Sequence, residues 1–162
     1  MATEYLDPTS DITNTHTSGT YAEVDDGTRQ PTVPGTDRIV TPAMGGTSSS
    51  SHALSTATLT DITEVKVWCY IQYVGPVSLF SRIQVDGVWS DNGTINAVTG
   101  WQSATFNSGD ANIGGKFNLT TAFANGMLIE FNQSGGGLFV FAYCNLDGMY
   151  IELTGTAGAG GQ

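Results

Sequence analysis

Thr63-Glu64-Val65-Lys66-Val67-Trp68-Cys69-Tyr70-Ile71-Gln72-Tyr73 is the stretch that decides the fold. Val65, Val67, Cys69, Ile71 and Tyr73 fall on one side of an extended chain, and Lys66, Trp68, Tyr70 and Gln72 on the other. Successive side chains of a β-strand point to opposite faces, so this period of two predicts a long strand with one buried face. No segment keeps the 3.6-residue period of an amphipathic helix, and Thr120 to Asn125 offers one helical turn at most.

Working outward, further strand signals recur at short spacing. Leu79 to Val88 puts Ile83 and Val85 on one face and Gln84 and Asp86 on the other, and breaks at Asp86-Gly87, a hairpin signal. Trp101 to Phe106 is bounded by Gly100 and by Asn107-Ser108-Gly109. Lys116 to Leu119 reads as a short pairing segment, Met127 to Phe131 and Leu138 to Asn145 flank Ser134-Gly135-Gly136-Gly137, and Met149 to Leu153 follows Asp147-Gly148. These are the marks of an all-β domain, an antiparallel β-sandwich of jelly-roll type with seven or eight strands.

The chain before this body has a different composition. Met1 to Ala53 holds two aromatics, Tyr5 and Tyr21, among many Thr, Ser, Pro, Gly and Asp residues. A segment with so little apolar surface does not offset its own ordering entropy, and is ordered by lying against something else. The expected organisation is therefore an extended N-terminal arm with a Ser/Gly hinge over 1–53, a sandwich over 54–154 and a Gly/Ala-rich tail over 155–162. On this division, removing 1–53 leaves a folded body. The arm's apolar residues come in small groups, Tyr5 with Leu6, Ile12, Tyr21 with Val24, Ile39 with Val40, and Met44, each suited to a shallow pocket on a partner. An extended backbone can also add a strand to an exposed sheet edge.

Charge and length narrow the function classes. The chain has 162 residues, enough for one domain and an appendage, and a net charge of −10 that disfavours contact with a phosphate backbone. Nucleic acid is not an expected partner. No apolar stretch approaches the roughly twenty residues of a membrane-spanning helix, and the N-terminus lacks the layout of a secretory signal, so neither a membrane nor export is expected.

Candidate sites were weighed against structural roles. Trp68, Tyr70, Trp89 and Trp101 could form a platform on which sugars stack, or could be buried in a subunit interface or beneath the arm, the usual fate of large aromatics. Asp25-Asp26 and Asp91-Asn92-Gly93 offer oxygen ligands without the periodicity of a calcium loop, and turn chemistry accounts for the second. Asn-X-Ser/Thr triplets at Asn92, Asn118 and Asn132 carry no weight without a secretory signal. Cys69 and Cys144 lie in apolar runs as core residues, with a bridge left open. His16 and His52 show no metal-ligand spacing and fall in the arm, where no rigid scaffold is expected to hold a base beside a nucleophile. Glu130, Glu152, Asp86 and Asp110 are the carboxylates available for glycoside cleavage, and solvated strand faces explain them more simply. No catalytic residue, metal or cofactor is expected.

Three stretches of the arm, Tyr5-Leu6-Asp7-Pro8-Thr9-Ser10-Asp11, Tyr21-Ala22-Glu23-Val24-Asp25-Asp26-Gly27 and Thr36-Asp37-Arg38-Ile39-Val40, resemble a pattern found ahead of sandwich domains in tailed-phage virion proteins. The body is similar in its Val65-x-Val67 strand and its Trp101 to Phe106 element. The resemblance implies a structural virion protein, a capsid cement or decoration protein on the outer shell surface, made in the host cytoplasm. Its implied partners are the major capsid protein and copies of itself, as a dimer or trimer, with the arm lacing capsomers together. A glycan-binding module or a tail or head-fibre component is the alternative.

Overall fold

The computed structural model describes residues 1–24, 27–35, 37–41, 47–73, 77–85, 87–107, 126–134 and 143–157. The described chain is all-β. In chain order the strands are β1 (Ala2–Leu6), β2 (Pro8–Asn14), β3 (Ile39–Val40), β4 (Ser48–Leu54), β5 (Thr60–Tyr73), β6 (Ser78–Val85), β7 (Val88–Trp89), β8 (Gly93–Ile95), β9 (Gly100–Asn107), β10 (Leu128–Ser134) and β11 (Cys144–Thr156), with one 3₁₀ turn at Tyr21–Glu23.

Two antiparallel sheets share one core. Sheet A runs β1-β11-β5-β9, with β3 also pairing β11, and sheet B runs β2-β4-β10-β6-β7, with β8 also pairing β6. The deciding stretch is the inner strand expected of it: Val65, Val67, Cys69 and Ile71 are buried, facing Ile83, Val85, Ile129 and Phe131 of sheet B in a single apolar cluster. Tyr73 departs from the alternation and is 40 % exposed, because β5 ends there and leaves the core. In β11 the register shifts between Leu146 and Gly148. This bulge at Asp147 lets Leu146 and Met149 both point inward although their spacing is odd.

The first 54 residues are not set apart from the body. β1 is one edge strand of sheet A and β2 one of sheet B, and the chain crosses between the sheets at Asp7. The Ser-rich stretch expected as a hinge is β4, an interior strand of sheet B between β2 and β10. Leu6, Val24 and Ile39, expected to anchor on a partner, are buried in this chain's own core at 1 %, 1 % and 0 % exposure. Apolar groups too sparse to build a core of their own thus complete one built by the later strands. The expected boundary at 155 also falls inside a strand: Gly155 pairs with Ala2, and a Cβ there would sit 2.8 Å from the Thr60 carbonyl oxygen. Lys116 to Leu119, Thr120 to Asn125 and the first residues of Leu138 to Asn145 lie outside the described residues, as do Met44, Asp25, Asp26, Asp86, Asp110 and Asn118. Cys69 and Cys144 are free, buried thiols on adjacent strands but out of register, Cys69 opposite Met149 and Cys144 opposite Tyr73.

Candidate functional site

Alternation along β5 turns Trp68 and Tyr70 to the outer face of sheet A, and the register sets Tyr150 of β11 opposite Trp68 and Trp101 of β9 opposite Tyr70. The Trp68 and Tyr150 rings stack with centroids 6.1 Å apart, while Trp101 packs edge-on against Tyr150 at 5.2 Å and against Tyr70 at 5.4 Å. Three of the four aromatics expected on a platform are therefore brought together, and residues 29–34 lie against Tyr150 and Trp101. The Arg29 guanidinium lies 4.7 Å from the Tyr150 ring centre and 5.3 Å from that of Tyr5, and its two terminal nitrogens donate to the Asp7 carboxylate at 2.7 and 3.0 Å. Gln30 N–H donates to the Tyr150 hydroxyl, Trp101 Nε1–H to the Thr32 carbonyl at 2.8 Å, and Trp68 Nε1–H to Glu152 Oε1 at 3.0 Å. Gly148 is the clearance for this contact, since a Cβ there would meet the Trp101 ring and Pro34 at 3.0 and 3.2 Å. The burial of Tyr150 pushes its hydroxyl above the usual phenol range. With the polar atoms of Trp68, Trp101 and Tyr150 used internally, these rings form a packed layer.

Trp89 lies on the other sheet. The outward side chains of β6 are Phe80, Arg82 and Gln84, and β10 sets Asn132 opposite Phe80 and Glu130 opposite Arg82. Arg82 donates from two nitrogens to Glu130 at 2.7 and 2.9 Å, Asn132 Nδ2–H donates to the same carboxylate, and the guanidinium rests 4.7 Å from the Trp89 ring centre. The bond to Glu130 is the main reason the Arg82 guanidinium holds its proton more tightly than usual. A groove crosses this face as two adjoining depressions. One, of about 350 Å³, is lined by Ser49, Arg82, Glu130, Asn132 and Gln133; the other, of about 400 Å³, by Ser78, Thr94 and Asn96; Phe80 and Asn92 border both. Glu130 and Asn132 are 7 % and 5 % exposed, so the polar floor is held rigidly.

A third group lies in the segment expected to offer no rigid scaffold, and the fold gives it one. His52 and Ser50 sit at the centre of β4, facing inward opposite Ile129 and Phe131, and β2 brings Asp11 opposite His52. His52 Nε2 is 2.8 Å from Ser50 Oγ, which is 3.1 Å from His16 Nε2, and His16 Nδ1 is 2.6 Å from Ser48 Oγ. His52 Nδ1 lies 2.9 Å from Asp11 Oδ1, within hydrogen-bond distance but off its direction. The one Ser50 proton serves one imidazole, and the hydroxyl oxygen accepts from the other. Acid, imidazole and hydroxyl stand in the order of a nucleophile relay, yet Ser50 and His52 are both 0 % exposed, so no substrate carbonyl reaches the oxygen. Desolvation holds both imidazoles below their ordinary range, His16 at about 4.

No family model, curated protein or solved structure matches this chain. The site therefore rests on its own geometry. Of the arm residues, Tyr5 and Ile12 are 48 % and 53 % exposed on the two edge strands, Tyr21 and Val40 are half-buried, and Val40 is bridged to Ser18. Among the carboxylates considered for paired catalysis, Glu130 and Glu152 stand on the outer faces of opposite sheets and cannot flank one bond. Phe80, Arg82 and Asn132 were missed, although the alternation of β6 already put Phe80, Arg82 and Gln84 on one face; what it lacked was the neighbouring strand.

Proposed function

We propose that this chain is a structural protein of a tailed-phage particle, a cement or decoration protein that stabilises the capsid shell from outside. The observation that carries the reading is that the N-terminal segment forms one edge strand of each sheet, with Tyr5 and Ile12 exposed along them. Edge strands carry unsatisfied backbone groups, and among the described residues nothing pairs with the far side of β1 or β2. A shell protein can add a strand there, gaining main-chain hydrogen bonds while Tyr5 and Ile12 fill its pockets.

This relocates the expected contact: the segment docks as a fixed edge of the body instead of lacing freely across capsomers. Successive strands alternate between sheets A and B from β1 to β6 and again from β9 to β11, which supports a jelly-roll assignment. Shell stabilisation needs no chemistry, only surface buried across a seam and repeated by symmetry, and dimers or trimers at local axes suit that repetition. The resemblance of residues 5–11, 21–27 and 36–40 to virion proteins supports the same reading.

The test is the copy ratio of this chain to the major shell protein in purified particles, by quantitative mass spectrometry. A ratio within a few-fold of one is expected, together with loss of particle association when Ile12 is replaced by Asp. A chain absent from particles overturns the proposal.

A further inference from the structure

The groove on the outer face of sheet B has features that shell docking does not use. Its floor is a rigid array of planar polar groups. Glu130 is fixed by two bonds from Arg82, Asn132 spends one N–H on that carboxylate, and both residues are more than nine-tenths buried. Asn132 retains a second N–H and a carbonyl oxygen, and the carboxylate retains acceptor capacity. Adjacent donors and acceptors at fixed spacing are what a vicinal diol of a sugar ring requires. Ser49 and Asn92 add to the same lining.

Phe80 supplies the second requirement. The C–H faces of a pyranose are apolar and pack on flat aromatic rings; the half-buried Phe80 ring borders both depressions, and Trp89 stands on the same face with the Arg82 guanidinium over its ring. The two depressions, about 350 and 400 Å³, each fall within the range of small-ligand sites and adjoin at Phe80 and Asn92, room for a short oligosaccharide rather than one ring.

Charge selects the class of sugar. Arg82 is neutralised by Glu130 within the groove, and the chain carries a net charge of −10, so sialylated or sulfated glycans are repelled. We propose that this groove binds a neutral glycan, with Phe80 as the stacking surface and Glu130, Asn132 and Asn92 as the hydroxyl-recognising groups. The site is on the opposite sheet from the Trp68–Tyr150–Trp101 layer and shares no residue with the edges of β1 and β2, so it stands whether or not the chain decorates a shell.

The experiment screens the full chain on an array of neutral and acidic oligosaccharides, then titrates the best neutral binder while following the three indole N–H resonances. The expected result is retention of neutral glycans and a shift of the Trp89 resonance, which senses Arg82 in the groove, with Phe80→Ala weakening binding about tenfold or more and Asn92→Ala, at an exposed position, weakening it while leaving the fold intact. Trp68→Phe should bind as the parent does. Retention of no neutral glycan, retention of acidic glycans alone, or loss of binding in Trp68→Phe with Phe80→Ala unchanged would each overturn the assignment.

Discussion

Arg29 grips Asp7 with both terminal guanidinium nitrogens, at 2.7 and 3.0 Å, and so ties the segment against Tyr150 and Trp101 to the point where the chain crosses to sheet B. The same guanidinium lies over the rings of Tyr5 and Tyr150. A two-pronged pair fixed over aromatic faces contributes more than an ordinary surface ion pair. Arg29→Ala should lower unfolding free energy by about 1–2 kcal/mol, and Arg29→Lys should recover only part of it, because an ammonium cannot make the fork. Urea unfolding of the three proteins measures this, and an unchanged midpoint in Arg29→Ala would show that the segment is not held there.

Deleting the first fourteen residues tests whether the N-terminus is arm or body. Leu6 is 1 % exposed in the core, β1 covers the edge of β11, and β2 supplies Asp11 to His52. Loss of Leu6 alone costs about 2–5 kcal/mol, and the deletion also uncovers two strand edges, so the truncated chain should fail to unfold cooperatively. A truncated protein with the parent's calorimetric transition would restore the picture of an independent body.

Acid should loosen the β2–β4 seam. His16 faces His52, Asp11, Ser48, Ser50 and Phe131, and the fold favours both imidazoles neutral. Because His16 titrates at about 4 in the fold and at 6.5 when free, the unfolded chain binds more protons between those values. Stability is therefore complete above pH 6.5 and falls as pH drops toward 4, by on the order of 3 kcal/mol from His16. His16→Gln should flatten the dependence of the urea midpoint across that window. A parent protein with equal stability at pH 7 and pH 4.5 would contradict this.

The inner strands were legible because one buried face imposes a period of two, and Val65 to Ile71 obey it. The integration of the N-terminus was not, because Leu6, Val24 and Ile39 are isolated apolar residues in polar stretches, and a lone leucine reads alike whether its pocket belongs to a partner or to its own chain. The Ser-rich β4 escaped for a related reason. Its inward residues Ser48, Ser50 and His52 are polar, and they bond to one another and to His16, with Asp11 beside His52, partners distant in sequence. The groove needed the pairing of β6 with β10, and pairing is not written in either strand alone.

Gly93 of β8 packs closely against β9 of the other sheet. A Cβ there would sit 2.8 Å from the Ala104 Cβ and 2.9 Å from the Phe106 ring of β9, both buried in sheet A. Phe106 is enclosed and cannot swing away, so Gly93→Ala must push β8 outward or distort β9, at a cost of about 1–3 kcal/mol. Pairing it with Ala104→Gly should return only part of that loss, since the second change removes the Ala104 clash and leaves the Phe106 ring at 2.9 Å. Thermal unfolding of the single and double variants decides the matter, and a single variant as stable as the parent would mean that the sheets are further apart at β8 than this packing requires.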